Sequence, residues 1–298
     1  MGIKRISRSV ATHDGTFHAD EVSACSLLLI FDLVDRDKII RTRDMDLIDS
    51  CEFVCDVGGI FDEDSLRFDH HQVEYTGELS SAGMILQFLR RTERLNEDEY
   101  RFLYNTLIKG VDAHDNGKAP IVEGYYSFSN VISNFTPVNY DCEPEEQDIA
   151  FMEAVDFVVG HLRRMLNRFH YNVSCRELVS QAMRESDQCL VFDKALPWLE
   201  NFFSLDGESH PANFLISPSG QHWKLRGIPP SYDKRMQVRV PLPESWAGLL
   251  GDELKEITGI EGAIFCHKGR FISVWQNKED AMQAYELVMK MQGERTGA

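Results

Sequence analysis

Histidine and aspartate recur in this chain at the points where strand-like or helix-like stretches give way to polar ones. His13 and His18-Ala19-Asp20 follow Ile6–Thr12, Asp56 closes Glu52–Asp56, Asp69-His70-His71 follows Leu66–Phe68, and Asp112 follows a helical pattern begun at Asn96. In open α/β sheets such boundaries collect functional groups, because strand ends and the loops beyond them lie outside the packed core. The recurrence therefore asks for a fold that brings several strand ends together around imidazole and carboxylate.

Periodicity supplies such a fold. Ile6–Thr12 predicts a buried strand, His13–Ala19 a loop, and Asp20–Leu33 a helix with Val22, Cys25, Leu28, Leu29 and Leu33 mainly on one face. Strands follow at Lys38–Arg43 and Glu52–Asp56, then Gly58-Gly59, then a hairpin of Ile60-Phe61 and Leu66–Phe68 about Asp62-Glu63-Asp64. Ser80 or Ser81 can cap a helix running to about Arg91. Asn96 with Glu99 forms a capping box for another reaching Gly110, which leaves Asp112 just beyond it. After a polar stretch with Pro137, Cys142 and Pro144, residues 145–186 are helical in pattern, with Phe151, Val155, Val158, Leu162, Met165, Leu166 and Phe169 recurring every three or four positions. From Cys189 the composition turns β-rich, through Leu190–Phe192, Asn213–Ile216, His222–Gly227, Met236–Val240 and Gly262–Val274, before a closing helix Lys278–Met291. The expectation is an α/β protein of two domains: residues 1–187 with a mainly parallel sheet and flanking helices, and residues 188–298 as a smaller α/β substrate-binding domain.

Composition narrows the function. A net charge of −17 weakens the case for a general duplex binder, and suits a short or single-stranded phosphate substrate better. Bound divalent cations at Asp20, Asp56 and Asp112 would offset part of that charge locally. Seven cysteines without CxxC spacing fit reduced, buried thiols. The apolar run Ala24–Leu33 is too short to span a membrane, and basic Met1–Arg8 leads into polar residues rather than a signal-type core. A soluble, cytoplasmic protein without a membrane partner is expected, its oligomeric state left open.

Two divalent ions held close together need a bridging carboxylate, neutral imidazoles and open positions for water and substrate. His18 and Asp20, two residues apart, can address different ions, and Asp56 is the natural bridge. His70 can ligate while His71 reaches the substrate as an electrostatic or acid group. Singly, these segments read as ordinary: Asp14-Gly15 as a turn, a surface histidine as solvated. Their conjunction points to metal, and the imidazole content disfavours a magnesium-only site. His114 and Asp115 read equally as partners that orient a ligand or as surface loop residues.

The ordered set His13, His18-Ala19-Asp20, Asp56, Asp69-His70-His71 and Asp112 resembles the motifs of the DHH phosphoesterase superfamily. That superfamily includes RecJ-type exonucleases, oligoribonuclease and phosphoadenosine phosphatase enzymes, and manganese-dependent inorganic pyrophosphatases. Thr12–Glu21, Phe68–Gln72, Leu79–Gly83 and Val111–Gly117 resemble more closely its melanocyte proliferating gene (Myg-type) branch, with looser likeness at Pro197-Trp198, Leu242–Trp246, Gly259-Ile260 and Phe265–His267. The resemblance implies two manganese ions, one held by His13, His18 and Asp56 and the other by Asp20, Asp56, His70 and Asp112, with His71, Asp20 and Asp56 acting in catalysis. Most superfamily members carry Asp where this chain has His18, a departure the Myg-type branch shares. Relatives also show a glycine pair where this chain has Ile272–Trp275. The implied activity is a metal-dependent phosphodiesterase, a 3′–5′ exonuclease on RNA or short single strands. His267, Arg270 and Arg239, then Lys224 and Arg226, are the candidates for holding substrate. A small-molecule nucleotide phosphatase or pyrophosphatase, and a non-catalytic metal-binding regulatory protein, are the alternatives.

Overall fold

The computed structural model describes residues 5–139 and 141–296, so Met1–Lys4 of the basic amino-terminal stretch lie outside the described residues. Side-chain alternation along β1 (Ile6–Thr12) sets the plan of the first half. Val10 enters one apolar layer and neighbouring Ala11 another, because successive strand residues face opposite sides of a sheet. β1 lies between β2 (Ile39–Arg41) and β3 (Cys51–Cys55), and β5 (Arg67–Phe68) and β4 (Phe61–Asp62) complete the order β2-β1-β3-β5-β4. All neighbours are parallel except β4, which pairs antiparallel with β5. The mainly parallel sheet read from the sequence is thus present.

The chain leaves β1 through α1 (Ala19–Ile30) to β2 on one side, and returns through α2 (Met45–Ser50) to β3 on the other. Growth in both directions creates a switch point outside the strands' carboxyl ends. Val10, Phe53, Cys55 and Phe68 pack with Val22 and Leu28 of α1, Met84 of α3 (Ser81–Arg91), and Phe151 and Val158 of α7 (Pro144–Ser174). Ile48 of α2 covers Ala11 and Val54 on the opposite face. Parallel sheets need this double cover.

One helix runs further than expected. α4 (Glu97–Leu103) passes through a π-helical turn, Tyr104–Ile108, directly into α5 (Lys109–Asp115), so Asp112 lies within a helix rather than beyond one. Gly110 does not end it, since nothing there requires the left-handed backbone that makes glycine a stop signal. α6 (Phe128–Ser133) lies in a stretch for which the sequence suggested no element.

Two compact units divide between Phe169 and His170, upstream of the boundary near 188 suggested by composition. The reason is α8 (Arg176–Glu185), whose Val179 and Ala182 pack with Leu190 of β6 (Cys189–Val191), Phe202 of α9 (Leu199–Ser204) and Leu215 of β7 (Phe214–Ser219). The second unit's sheet has the order β6-β7-β8-β10-β9, with β8 at His222–Gly227, β9 at Ala263–Cys266 and β10 at Ile272–Trp275. β6 and β7 are parallel and the remaining pairs antiparallel. On its other face Phe214, Ile216, Leu225 and Trp275 pack with Leu254 of α10 (Gly251–Thr258) and Ala281, Ala284 and Val288 of α11 (Lys278–Thr296).

Met236–Val240 is loop, not strand. Its Arg239, expected to hold substrate, instead staples the loops around it. Nε donates to the Pro229 carbonyl, Nη1 to those of His210 and Ala212, and Nη2 to those of Gly207 and Glu208, at 2.6–3.4 Å. All five guanidinium donors are therefore committed to backbone, and none is left for a phosphate. Arg239→Met should lower stability by on the order of 2–4 kcal/mol, because several carbonyls lose charge-assisted partners. Urea unfolding measures this. Unchanged stability with impaired turnover would return Arg239 to the substrate site.

Candidate metal centre

Three strand ends deliver the site. β1 ends into His13, which is buried, and its loop enters α1 with Asp20 and Glu21 fully buried. Asp56 follows β3 with φ of 57°, a left-handed backbone conformation that aspartate adopts more readily than most side chains. Its N–H donates to the Phe68 carbonyl at 3.1 Å, fixing it beside the β5 end from which His70 and His71 project. A groove of about 660 Å³ opens here, lined among others by His13, His18, Arg43, Asp56, His71 and Asp115.

The donor atoms converge without satisfying one another. Asp56 Oδ2 lies 3.4 Å from His13 Nε2, while Oδ1 lies 3.5 Å from His70 Nε2 and 3.3 Å from His71 Nδ1. His13 Nε2 is also 3.1 Å from Glu21 Oε1, and His70 Nε2 is 3.0 Å from Asp115 Oδ2 and 3.9 Å from Asp20 Oδ2. Three sets result, His13-His18-Glu21-Asp56, Asp56-His70-His71 and Asp20-His70-Asp115, each with its donor atoms within 4.8 Å of one another. Asp56 Oδ1, His70 Nε2 and Glu21 Oε2 are buried with no hydrogen-bond partner of proper geometry. Buried polar atoms are seldom left so, and these N and O donors fit a divalent ion.

The amino terminus of α3 holds the carboxylates from behind. Asp20 accepts from Ser80 Oγ at 2.5 Å, Ala82 N at 2.6 Å and Ser81 N at 2.9 Å. Asp112 accepts from Ser80 Oγ at 2.8 Å, Ser80 N at 3.1 Å and Gly83 N at 3.2 Å. Unpaired N–H groups at a helix start favour anions, which accounts for Leu79-Ser80-Ser81-Ala82-Gly83 as a motif. Gly83 is required because a Cβ there would fall 2.5 Å from Asp112 Oδ2. Ser80 has one hydroxyl proton for two carboxyl groups, so it can fully satisfy only one of them at a time.

Titration follows this crowding. Burial, then the charges of Asp56 and Asp115, push Asp20 well above the carboxylate range, and burial lifts Asp112 to about 6 against its hydrogen bonds from Ser80. Burial opposes charge on His13, yet the nearby Asp56 and Glu21 carboxylates outweigh it and raise it to about 10. His70 is likewise raised to about 10 by Asp115 and Asp56 against its burial. Burial also disfavours ionised Asp56, but His13 and His70 hold it down at about 2.

Of the residues expected to bind metal, His13, His18, Asp20, Asp56 and His70 fall in these sets. Asp112 does not; one helical turn on, Asp115 takes the place beside His70 and Asp20. Its position follows from α5 running through Gly110, a continuity the glycine concealed. Glu21 was also unforeseen. Its signal is the spacing from His18, whose N–H donates to Glu21 Oε1 at 2.8 Å. His71 projects 63% exposed, with Nδ1 held 2.8 Å from Asp69 Oδ1. Partly buried Arg41 pins the loop between His13 and His18: it donates to the Gly15 carbonyl, pairs with Asp148 at 2.7 Å and lies 4.8 Å from the Phe151 ring centroid. In the second unit His267 and Arg270 form the turn between β9 and β10, closed by Arg270 N donating to the His267 carbonyl at 2.8 Å. Lys224 and Arg226 lie half-buried along β8, with Arg226 5.9 Å from the Trp198 ring.

Fold and site together define an α/β protein with a buried histidine–carboxylate centre suited to divalent metal. The chain belongs to the MYG1 exonuclease family, described as an uncharacterised protein family (UPF0160), whose profile matches residues 9–289. It is 53% identical over 289 residues to the MYG1 protein of Chlamydia muridarum, covering 97% of this chain and 99% of that protein. It is 31% identical to the proteins named MYG1 exonuclease of Mus musculus, over 92% of this chain and 82% of that one, and of Homo sapiens, over 92% and 83%. A crystal structure of RecJ in complex with Mn2+ from Thermus thermophilus aligns with a TM-score of 0.29 and 10% identity, covering 97% of this chain and 52% of that one, too slight a likeness to define the fold. Among the described residues no helix is long and apolar enough to cross a membrane.

Imidazole ligates only when neutral, so an arriving ion must displace protons from His13 and His70. Mn2+ affinity should therefore climb as pH rises from 6.5 toward their raised values of about 10, by up to about tenfold per pH unit for each proton displaced. Calorimetry in buffers of different ionisation enthalpy counts those protons. An affinity flat across this range would show the imidazoles already neutral. For the α3 cradle, Gly83→Ala should cost on the order of 1–3 kcal/mol through overpacking against Asp112, and should weaken Mn2+ binding as Asp20 is displaced with the helix start. Unaltered melting and metal titration would show the cradle to be more yielding than its spacing implies.

Proposed function

We infer that this chain is a metal-dependent phosphodiesterase of the DHH type, a 3′–5′ exonuclease on RNA or short single-stranded nucleic acid that uses two divalent ions, manganese best of all. The observation that carries this is Asp56, whose Oδ2 faces His13 and whose Oδ1 faces His70, so that one carboxylate could serve two ions. His13, His18, Glu21 and Asp56 would hold one ion; Asp20, His70 and Asp115, with Asp56, the other. Asp112 supports the second set from behind through Ser80. Bound ions would lower the pKa of water and offset the charge developing on the phosphoryl oxygens.

The chain's own groups orient and protonate. With Nδ1 held by buried Asp69, His71 lines the groove, and its Nε2 is the atom left to hold a phosphoryl oxygen or give a proton to the leaving oxygen. Arg43, paired with Asp14 at 3.0 Å on the groove rim, steers the anion. In the second unit, His267 and Arg270 remain the candidates for holding a phosphate; Arg270 makes no side-chain hydrogen bond or ion pair among the described residues. The names of the mouse and human relatives support nuclease chemistry, and the imidazole content supports manganese over magnesium.

The test is cleavage of 5′-labelled single-stranded RNA, single-stranded DNA and pyrophosphate, each with Mn2+ or Mg2+. RNA should shorten stepwise from its 3′ end, faster in Mn2+. Asp56→Ala should lose both ions and about 100-fold or more of turnover, and Asp115→Asn one ion. Pyrophosphate hydrolysis without any phosphodiester cleavage would favour a pyrophosphatase. An Asp56→Ala protein with two ions and full turnover would falsify the shared-carboxylate arrangement.

A further inference from the structure

Beside the metal groove lies a second, apolar one that the chemistry above does not use. It occupies about 830 Å³ along the loop between α5 and α6, with Pro120, Ile121, Val122, Tyr125 and Tyr126 among its lining residues. Ile121 is fully exposed, and Tyr125 and Tyr126 are 82% and 63% exposed. Large apolar side chains gathered in this way gain nothing from folding, and such patches mark binding surfaces.

The loop is held in shape. Tyr125 N donates to the Val122 carbonyl at 3.1 Å, and Gly124 takes the left-handed conformation (φ 82°) that this turn needs. The Tyr126 hydroxyl donates to Asn134 Oδ1 at 3.1 Å, and Ser127 Oγ caps α6 by accepting from Asn130 N at 3.1 Å. The tyrosines are thus presented by a braced segment.

His114 lines both grooves, and it is the chain neighbour of Asp115 in the proposed metal set. The two grooves therefore meet at His114, beside that set. We propose that this groove takes the bases of single-stranded nucleic acid by stacking on Tyr125 and Tyr126, while the backbone passes His114 into the metal centre. The inference rests on the phosphodiesterase reading and names how its substrate is gripped. Every base has a π-face, so stacking is indifferent to sequence. It also suits a chain of net charge −17, which cannot rely on a general basic surface.

The test compares an oligonucleotide with an abasic one of equal length in the full chain with Mn2+, and separately follows the fluorescence of a 2-aminopurine trinucleotide, which stacking quenches. The wild type should prefer the base-bearing strand by about tenfold or more in kcat/KM and quench the probe, with only shallow dependence on salt. In Tyr125→Ala/Tyr126→Ala the preference should fall toward one and the quenching vanish, whereas Tyr125→Phe/Tyr126→Phe should restore both. Quenching without turnover would leave this inference standing and remove the phosphodiesterase reading instead. Equal handling of both strands, or quenching that survives the double alanine variant, would overturn it. So would a wild-type dimer lost in that variant without any quenching, which would assign the groove to a second copy of the chain.

Discussion

Asp20 has no contact with solvent, yet its carboxylate meets three donors at the start of α3, and the first unit is arranged around that contact. The contact ties α1 to α3, sets Ser80 between Asp20 and Asp112, and brings β5 and its histidines against the end of β3. Burying several carboxylates together costs several kcal/mol per ion unless positive potential is built beside them. A helix amino terminus answers for Asp20 and Asp112, and imidazoles answer for Asp56 and Glu21. Neither covers every oxygen: Glu21 Oε2, Asp56 Oδ1 and Asp112 Oδ2 stay buried without a hydrogen-bond partner.

Much of this was legible in the sequence, because strand ends are local features. His13, Asp56 and His70 each follow a short β pattern, and a parallel sheet whose chain leaves β1 in both directions has to collect them. Helix continuity was harder to read. Gly110 and the π-helical turn before it resemble an ending, although hydrogen bonding continues to Asp115; that moves the carboxylate facing His70 one turn along the chain. Glu21 was hidden differently, since a glutamate in a first helical turn ordinarily faces solvent, and only its approach to His13 draws it inside.

In the second unit the sheet was foreseen in most strands, and its side-chain roles less well. Arg239 sits among residues of strand-like composition, and nothing local reveals that five carbonyls from two separate stretches of chain would converge on it. Long-range saturation of a guanidinium is a property of tertiary structure alone. Conversely Arg270 sits in a two-strand turn closed by its own backbone, with no side-chain hydrogen bond or ion pair among the described residues.

The left-handed backbone at Asp56 narrows what that position can become. Glycine would relax the chain but bring no carboxylate, and asparagine would keep the shape but not the charge. Glutamate would carry the charge a methylene too far, on a backbone it resists. The strain of holding a side-chain-bearing residue there is of order 1–3 kcal/mol, and it is borne whether or not an ion is present. The Asp56 carboxylate is therefore set during folding, already turned toward His13 on one side and His70 on the other.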